Sequence, residues 1–203
     1  MRNERGMMRQ EEIEIILLKN LLREITIKYD EMIQKQNEML QKTFNEAIRD
    51  SLTGLYNRKF FYENATKLLE IAKRDERNLV IIFIDLDNFK TINDKYGHDK
   101  GDEVLKQVAS ILKRGFRNSD IIARLGGDEF VVAILLGGEE ENIKKIINRT
   151  RGEIEKHLPE ISFSYGYVKY PEDGTNIQEL VKIADERMYN NKRERKNVTG
   201  SER

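Results

Sequence analysis

The chain has 203 residues, with 36 basic and 36 acidic side chains, two histidines and no cysteine. That length predicts one domain plus an accessory segment. Zero formal net charge excludes a general pull toward nucleic acid or anionic membrane, and the missing cysteines exclude disulfides, thiolate metal sites and cysteine nucleophiles.

The amino terminus, Met-Arg-Asn-Glu-Arg followed by Glu11 and Glu12, is no secretion signal, and no apolar run is long enough to span a bilayer, so a cytoplasmic protein is expected. From about Gln10 to Arg49 there is no Pro and no Gly. Apolar residues fall at Ile15, Leu18, Leu22, Ile25, Tyr29, Met32 and Met39, alternating three and four positions, and Gln36 and Thr43 continue the register as polar members. This spacing predicts a coiled-coil helix in residues 1–49, a dimerisation segment tuned by its polar positions. A single amphipathic helix lying on its own domain is the alternative; the length without a helix breaker favours the pairing helix.

Asp50-Ser51-Leu52-Thr53-Gly54 breaks the pattern, and residues 50–203 read as a second domain. Lys59 to Arg77 predicts a helix with Phe60, Phe61, Leu68, Leu69 and Ile71 on its apolar side. Leu79 to Ile84 is an unbroken apolar run rich in β-branched residues, which predicts a strand buried on both faces. Gly101 to Arg114 predicts a helix, with Val104, Leu105, Val108, Ile111 and Leu112 at helical spacing. Ile121 to Leu125 and Phe130 to Ile134 predict strands joined by a hairpin through Gly126-Gly127-Asp128-Glu129. A helix from Glu139 to His157, a strand from Ile161 to Tyr170 and a helix from Ile177 to about Lys192 complete the order. The expected class is α/β of the α+β type: a central, mostly antiparallel sheet covered by helices on one side, preceded by the long helix.

Asp85 and Asp87 lie where the buried strand runs out into Asn88-Phe89-Lys90, a place where a scaffold can hold a carboxylate against a ligand. The predicted sheet can bring Asp128 and Glu129, on the hairpin, beside Asp85. Carboxylates from adjacent strands favour a hard, oxygen-ligated cation such as Mg²⁺, which serves phosphoryl transfer. A solvated turn or helix cap is the ordinary reading of any one of these acids. Gly126 and Gly127 fit a tight turn, and also close approach of backbone to phosphate. His98 alone reads as a loop histidine, and Asn93 and Asp94 as the end of a short helix.

Ile84 to Asp102, reading IDLDNFKTINDKYGHDKGD, closely resembles a long motif of the GGDEF domain family, and Arg124-Leu125-Gly126-Gly127-Asp128-Glu129-Phe130 reproduces the motif that names it. Asp50 to Arg58 resembles its opening turn, and Ala184-Asp185-Glu186-Arg187-Met188-Tyr189 with Lys192 its last helix. The resemblance runs from about Asp50 to Asn197. It implies a fold similar to class III nucleotide cyclases and polymerase palms, and a diguanylate cyclase that condenses two GTP into cyclic di-GMP across a homodimer. It further implies that Asp85, the Leu86 carbonyl and Asp128 ligate Mg²⁺, with Mn²⁺ as an alternative. Glu129 supports the metal, and Asp128 is the residue usually assigned as base for the ribose 3′-hydroxyl. A metal-bound carboxylate is a poor base, so ligation is the firmer role. Asn93 and Asp102 match positions that hydrogen-bond guanine, His98 another substrate contact, and Lys90 and Lys192 cations near the triphosphate. An Asp facing guanine accepts from its N–H groups, which favours GTP over ATP. Arg117 and Asp120 form Arg-x-x-Asp at the spacing of the family's inhibitory product site, where Arg can grip phosphate and Asp accept from guanine.

The last motif departs from the pattern. Asn190 to Lys196 stands where the family shows Ala-Lys and then Gly-Arg, and Lys196 keeps the charge of that Arg but not its bidentate fork. The final strand is expected to be short or missing after Asn197. Competing readings are an inactive nucleotide receptor, a cyclase making an adenine-containing dinucleotide, and a plain coiled-coil interaction protein. The retained acids, Asp102 and the carboxylate constellation respectively speak against them.

Overall fold

The computed structural model describes the backbone of residues 2–136 and 143–200, and the side chains of residues 13–136 and 143–195. The chain divides into two units, Met1–Ala47 and Ile48–Arg203. The first is the helix α1 (Arg2–Ile48). Ile15, Leu18, Leu22, Ile25, Tyr29, Met32 and Met39 are all exposed on it, together with Ile16, Leu17 and Leu21.

In the second unit, the described residues form one sheet from β1 (Leu79–Asp87), β2 (Ile121–Gly126), β3 (Glu129–Leu135) and β4 (Ser162–Tyr170). Its order is β2-β3-β1-β4, and every neighbouring pair is antiparallel. The helices are α2 (Arg58–Arg74), α3 (Phe89–Tyr96), α4 (His98–Gly115), α5 (Ile143–His157) and α6 (Ile177–Gly200).

The unbroken apolar run of β1 is explained by its place inside the sheet. Val80, Ile82, Ile84 and Leu86 point into a core with α4 and α5, whereas Leu79, Ile81 and Phe83 point into a second core with α2 and α6. Helices therefore cover both faces rather than the one expected, because strand alternation sends successive apolar side chains of β1 to opposite sides. Phe61, Phe130 and Phe163 are fully buried, each contributing on the order of 2 kcal/mol of apolar transfer.

Several boundaries shift for local reasons. α2 stops at Arg74 because Asp75 caps it and Glu76 takes φ 50°. His98 opens α4 rather than lying in a loop, since Gly97 at φ 84° turns the chain directly from α3 into α4. The expected start of the fifth helix at Glu139 lies outside the described residues. α6 continues through Gly200, so among the described residues no strand follows Asn197. It also presses closely on β4: a Cβ at Gly166 would run into the backbone at Ala184 and Met188. That contact fixes the height at which the next turns of α6 reach the end of β1.

Candidate functional site

The hairpin between β2 and β3 has Gly127 at φ 52° and Gly126 at φ 152°, conformations that side chains disfavour. Nothing lies within 4 Å of where a Cβ would stand on either. The backbone thus requires glycine, and the space above the turn is open. Arg124 steadies the hairpin, donating from Nε to the Gly127 carbonyl at 2.9 Å and from Nη1 to Asp50 Oδ1 at 3.1 Å. Asp50 Oδ1 also accepts from the Thr53 N–H and hydroxyl, at 2.8 and 2.6 Å. Burial alone raises the Asp50 carboxyl, but the Thr53 bonds and the Arg124 charge outweigh it and hold the group below its ordinary value. The opening turn therefore anchors the hairpin from across the fold, a link that sequence spacing does not reveal.

The register of β1 with β3 pairs Asp85 with Glu129, and the Leu86 N–H donates to the Asp128 carbonyl at 3.2 Å. The end of β1 and the hairpin are thus neighbours, as the sequence predicts. Burial raises the Asp85 carboxyl above its ordinary value; the bond from Lys192 opposes this, while Asp128 and Asp87 push it higher. Burial likewise raises Glu129, followed by the charges of Asp185, Asp85 and Asp128. Asp185, exposed on α6, is an acid the sequence analysis named only within the last-helix motif, and partial desolvation lifts it too.

Asp87 and Asp128 line a cavity of about 590 Å³, together with Leu86, Lys90, Lys192 and Arg195, among others. Lys192 donates to Asp85. Lys90 is exposed on α3. Arg195 was missed by sequence reasoning, although it stands three residues after Lys192, on the same helical face. The Lys196 side chain lies outside the described residues.

Asn93 is half-buried near the end of α3, and its Oδ1 is fully buried with no hydrogen-bond partner among the described residues. A Cβ at Gly101 would overlap that oxygen, so the glycine lets the amide lie against α4. Asp102 and His98 are exposed on α4. Arg117 and Asp120 lie in the turn before β2, around a cavity of about 180 Å³ that Arg49 and Lys113 also line. There Asp120 Oδ2 accepts from the Arg117 backbone N–H at 2.8 Å, so this carboxylate shapes its own loop.

The family model described as "Diguanylate cyclase, GGDEF domain" matches residues 47–198. The chain belongs to the GGDEF domain family. It is 36% identical over 174 residues to diguanylate cyclase DgcP of Escherichia coli, covering 82% of this chain and 51% of that one. It is 33% identical over 181 residues to diguanylate cyclase DgcS of Shewanella oneidensis, covering 88% of this chain and 56% of the relative. The chain thus spans about half the length of these two relatives. Among solved structures, the GGDEF domain of PA1120 (YfiN or TpbB) from Pseudomonas aeruginosa matches with TM-score 0.66 at 34% identity, covering 70% of this chain and 92% of that one. The coiled coil and GGDEF domain of DgcB from Caulobacter crescentus, solved in complex with c-di-GMP, matches in fold with TM-score 0.74 at 24% identity, covering 85% and 94%.

Does the GGDEF site suit a divalent ion? Among the described residues no three His, Asp or Glu groups converge closely enough to cage one. Asp87 is occupied, its Oδ1 accepting from Ser164 Oγ at 2.8 Å and its Oδ2 from Arg195 at 2.9 Å. Mg²⁺ does not need a protein cage: it keeps waters and takes one or two carboxylates plus substrate phosphates. Mutually repelling Asp85 and Asp128 beside a cation-lined cavity meet that requirement. No helix among the described residues is long and apolar enough to cross a membrane.

Proposed function

We propose that this chain is a diguanylate cyclase that joins two GTP into cyclic di-GMP and releases two pyrophosphates. The observation that carries the reading is the pairing of Asp85 with Glu129 and of the Leu86 N–H with the Asp128 carbonyl, which brings the end of β1 and the hairpin together where Asp87, Asp128 and Lys192 line one cavity. Asp85, the Leu86 carbonyl and Asp128, with Glu129 behind them, would hold Mg²⁺ or Mn²⁺. Such an ion, when bound, neutralises charge on the reacting phosphates.

The chain's own groups do the rest. Lys192 keeps the Asp85 carboxylate oriented, and Lys90 supplies positive charge for the triphosphate. The open turn at Gly126 and Gly127 gives backbone room for phosphate or ribose. Asn93 and Asp102 read the guanine edge: the exposed Asp102 carboxylate accepts from guanine N–H groups, whereas adenine leaves it poorly paired. His98, at the start of α4, flanks the same ligand.

One domain holds one GTP, so a second copy must face it. The exposed apolar seam of α1 supports pairing as a coiled coil, which raises the local concentration of the second site. The Arg117–Asp120 turn is read as the product site, with cyclic di-GMP as inhibitor. A GTP-consuming enzyme belongs in the cytoplasm.

Incubation of the chain with GTP and Mg²⁺, followed by chromatography of the products, tests the proposal. Cyclic di-GMP with pyrophosphate is expected. Untouched GTP would sink it, and an adenine-containing dinucleotide from mixed GTP and ATP would overturn the specificity.

A further inference from the structure

α3 is a short helix with few holds of its own. Ile92 is the one buried residue among its eight, and Phe89 packs partly against the same core. Asn88 precedes the helix at φ 65° without a side-chain cap, so its start lacks that usual anchor. The last turn is closed by the Gly97 N–H, which donates to the Asn93 carbonyl at 2.9 Å. Asn93, Lys95 and Tyr96 therefore move as one unit. Toward α4 the fit of this turn is tight, since a Cβ at Gly101 would overlap the Asn93 amide oxygen.

On its other side the turn is held by a residue 64 positions from Tyr96. Glu160 Oε1 accepts from the Tyr96 hydroxyl at 3.2 Å and from Lys95 Nζ at 3.3 Å. The Lys95 ammonium lies 4.5 Å from the centre of the Tyr96 ring, so the three groups brace one another. Glu160 is itself firmly placed. It follows Pro159 in the link between α5 and β4, where the Ile161 N–H donates to the Leu158 carbonyl at 2.9 Å and Ile161 is buried. The next residue, Ser162, opens β4 and pairs with Asp87 at the end of β1. One carboxylate thus ties the end of α3 to the sheet that carries Asp85.

A stabilising role accounts poorly for this contact. The Lys95 and Glu160 side chains are 58% and 57% exposed, and ion pairs of that kind add little to stability. A small shift of Tyr96, by contrast, displaces Asn93 in the same turn, and a displaced polar group loses much of its bond to a ligand. Resting on the reading of Asn93 as a guanine contact, we infer that Glu160 is a positioning residue for base recognition, acting through Tyr96 and Lys95 on the turn that carries Asn93. Grip on the phosphates does not run through it: Lys90 stands at the opposite end of α3, and Lys192 is held against Asp85 by α6.

The test titrates two ligands calorimetrically with Mg²⁺ into the full chain: inorganic triphosphate, and 3′-deoxyGTP, which lacks the attacking hydroxyl and is not consumed. Glu160→Ala is expected to weaken 3′-deoxyGTP binding about threefold to tenfold, while triphosphate binding stays within about twofold. Tyr96→Phe, which leaves the lysine contact, should fall between. Glu160→Gln, which keeps an acceptor for the Tyr96 hydroxyl, should recover most of the loss. Equal losses for both ligands, no loss for 3′-deoxyGTP, or a loss that Glu160→Gln does not relieve would overturn the inference. If Glu160→Ala does not fold, the same comparison with Tyr96→Phe decides. Failure of the unaltered chain to bind 3′-deoxyGTP would remove the cyclase reading itself, whereas equal binding by the parent and Glu160→Ala sinks this inference alone.

Discussion

Lys192 on α6 donates to Asp85 at the end of β1, joining residues 107 positions apart, with side chains 24% and 15% exposed respectively. Its removal leaves Asp85 beside the charges of Asp128 and Asp87 without its cation. Lys192→Met is therefore expected to destabilise the ligand-free chain by about 1–3 kcal/mol near neutral pH. Urea denaturation measures this directly, and an unchanged midpoint would show that the pair contributes little.

Glu129 offers a test by pH. Its carboxyl is raised by burial and then by Asp185, Asp85 and Asp128, so it holds a proton more tightly folded than unfolded. Its contribution to stability is full below the ordinary value of 4.5 and is lost as pH rises through the raised value. Glu129→Gln should thus be more stable than the parent at neutral pH and above, by about 0.5 kcal/mol because the group is partly solvated. The advantage should shrink as the solution is acidified toward the ordinary carboxylate range. A constant difference across that range would contradict the electrostatic cause.

Asp50 carries the opposite sign. Its carboxyl lies below the ordinary value of 3.8, so its stabilisation is present above that pH and is lost as pH falls through the lowered value. Asp50→Ala frees Thr53 and Arg124, and with Arg124 the support of the Gly127 carbonyl. We expect a loss of about 1–2 kcal/mol in urea unfolding at neutral pH and a fall in turnover on the order of tenfold from a displaced hairpin. Unchanged turnover with lowered stability would confine Asp50 to folding.

The strand at Leu79 to Ile84 and the hairpin at Gly126 and Gly127 were legible because apolar continuity and glycine at a turn are local signals. The covering of both sheet faces was legible in principle, since odd and even residues of β1 are equally apolar. The mutual support of Asp87, Ser162, Phe163 and Arg195 was not, because it joins β1, β4 and α6 through contacts that no spacing encodes. His98 alone reads as a loop histidine, whereas the backbone at Gly97 turns one helix directly into the next and sets His98 at the start of α4.

The long helix makes its own prediction. A chain beginning at Ile48 should match the full chain in specific activity when concentrated and fall below it on dilution, because the second site must then be found by diffusion. Equal activity at every dilution would remove α1 from the mechanism.

The central claim is that Asp85 and Asp128 act as one unit on a shared, nucleotide-bearing ion, and a double-mutant cycle addresses it directly. Calorimetric affinity for 3′-deoxyGTP with Mg²⁺ is measured for the parent, Asp85→Asn, Asp128→Asn and the double variant. If the two carboxylates hold the same ion, each single substitution weakens binding strongly and the second adds little to the first. Losses that simply multiply, or single variants that bind as tightly as the parent, would contradict it.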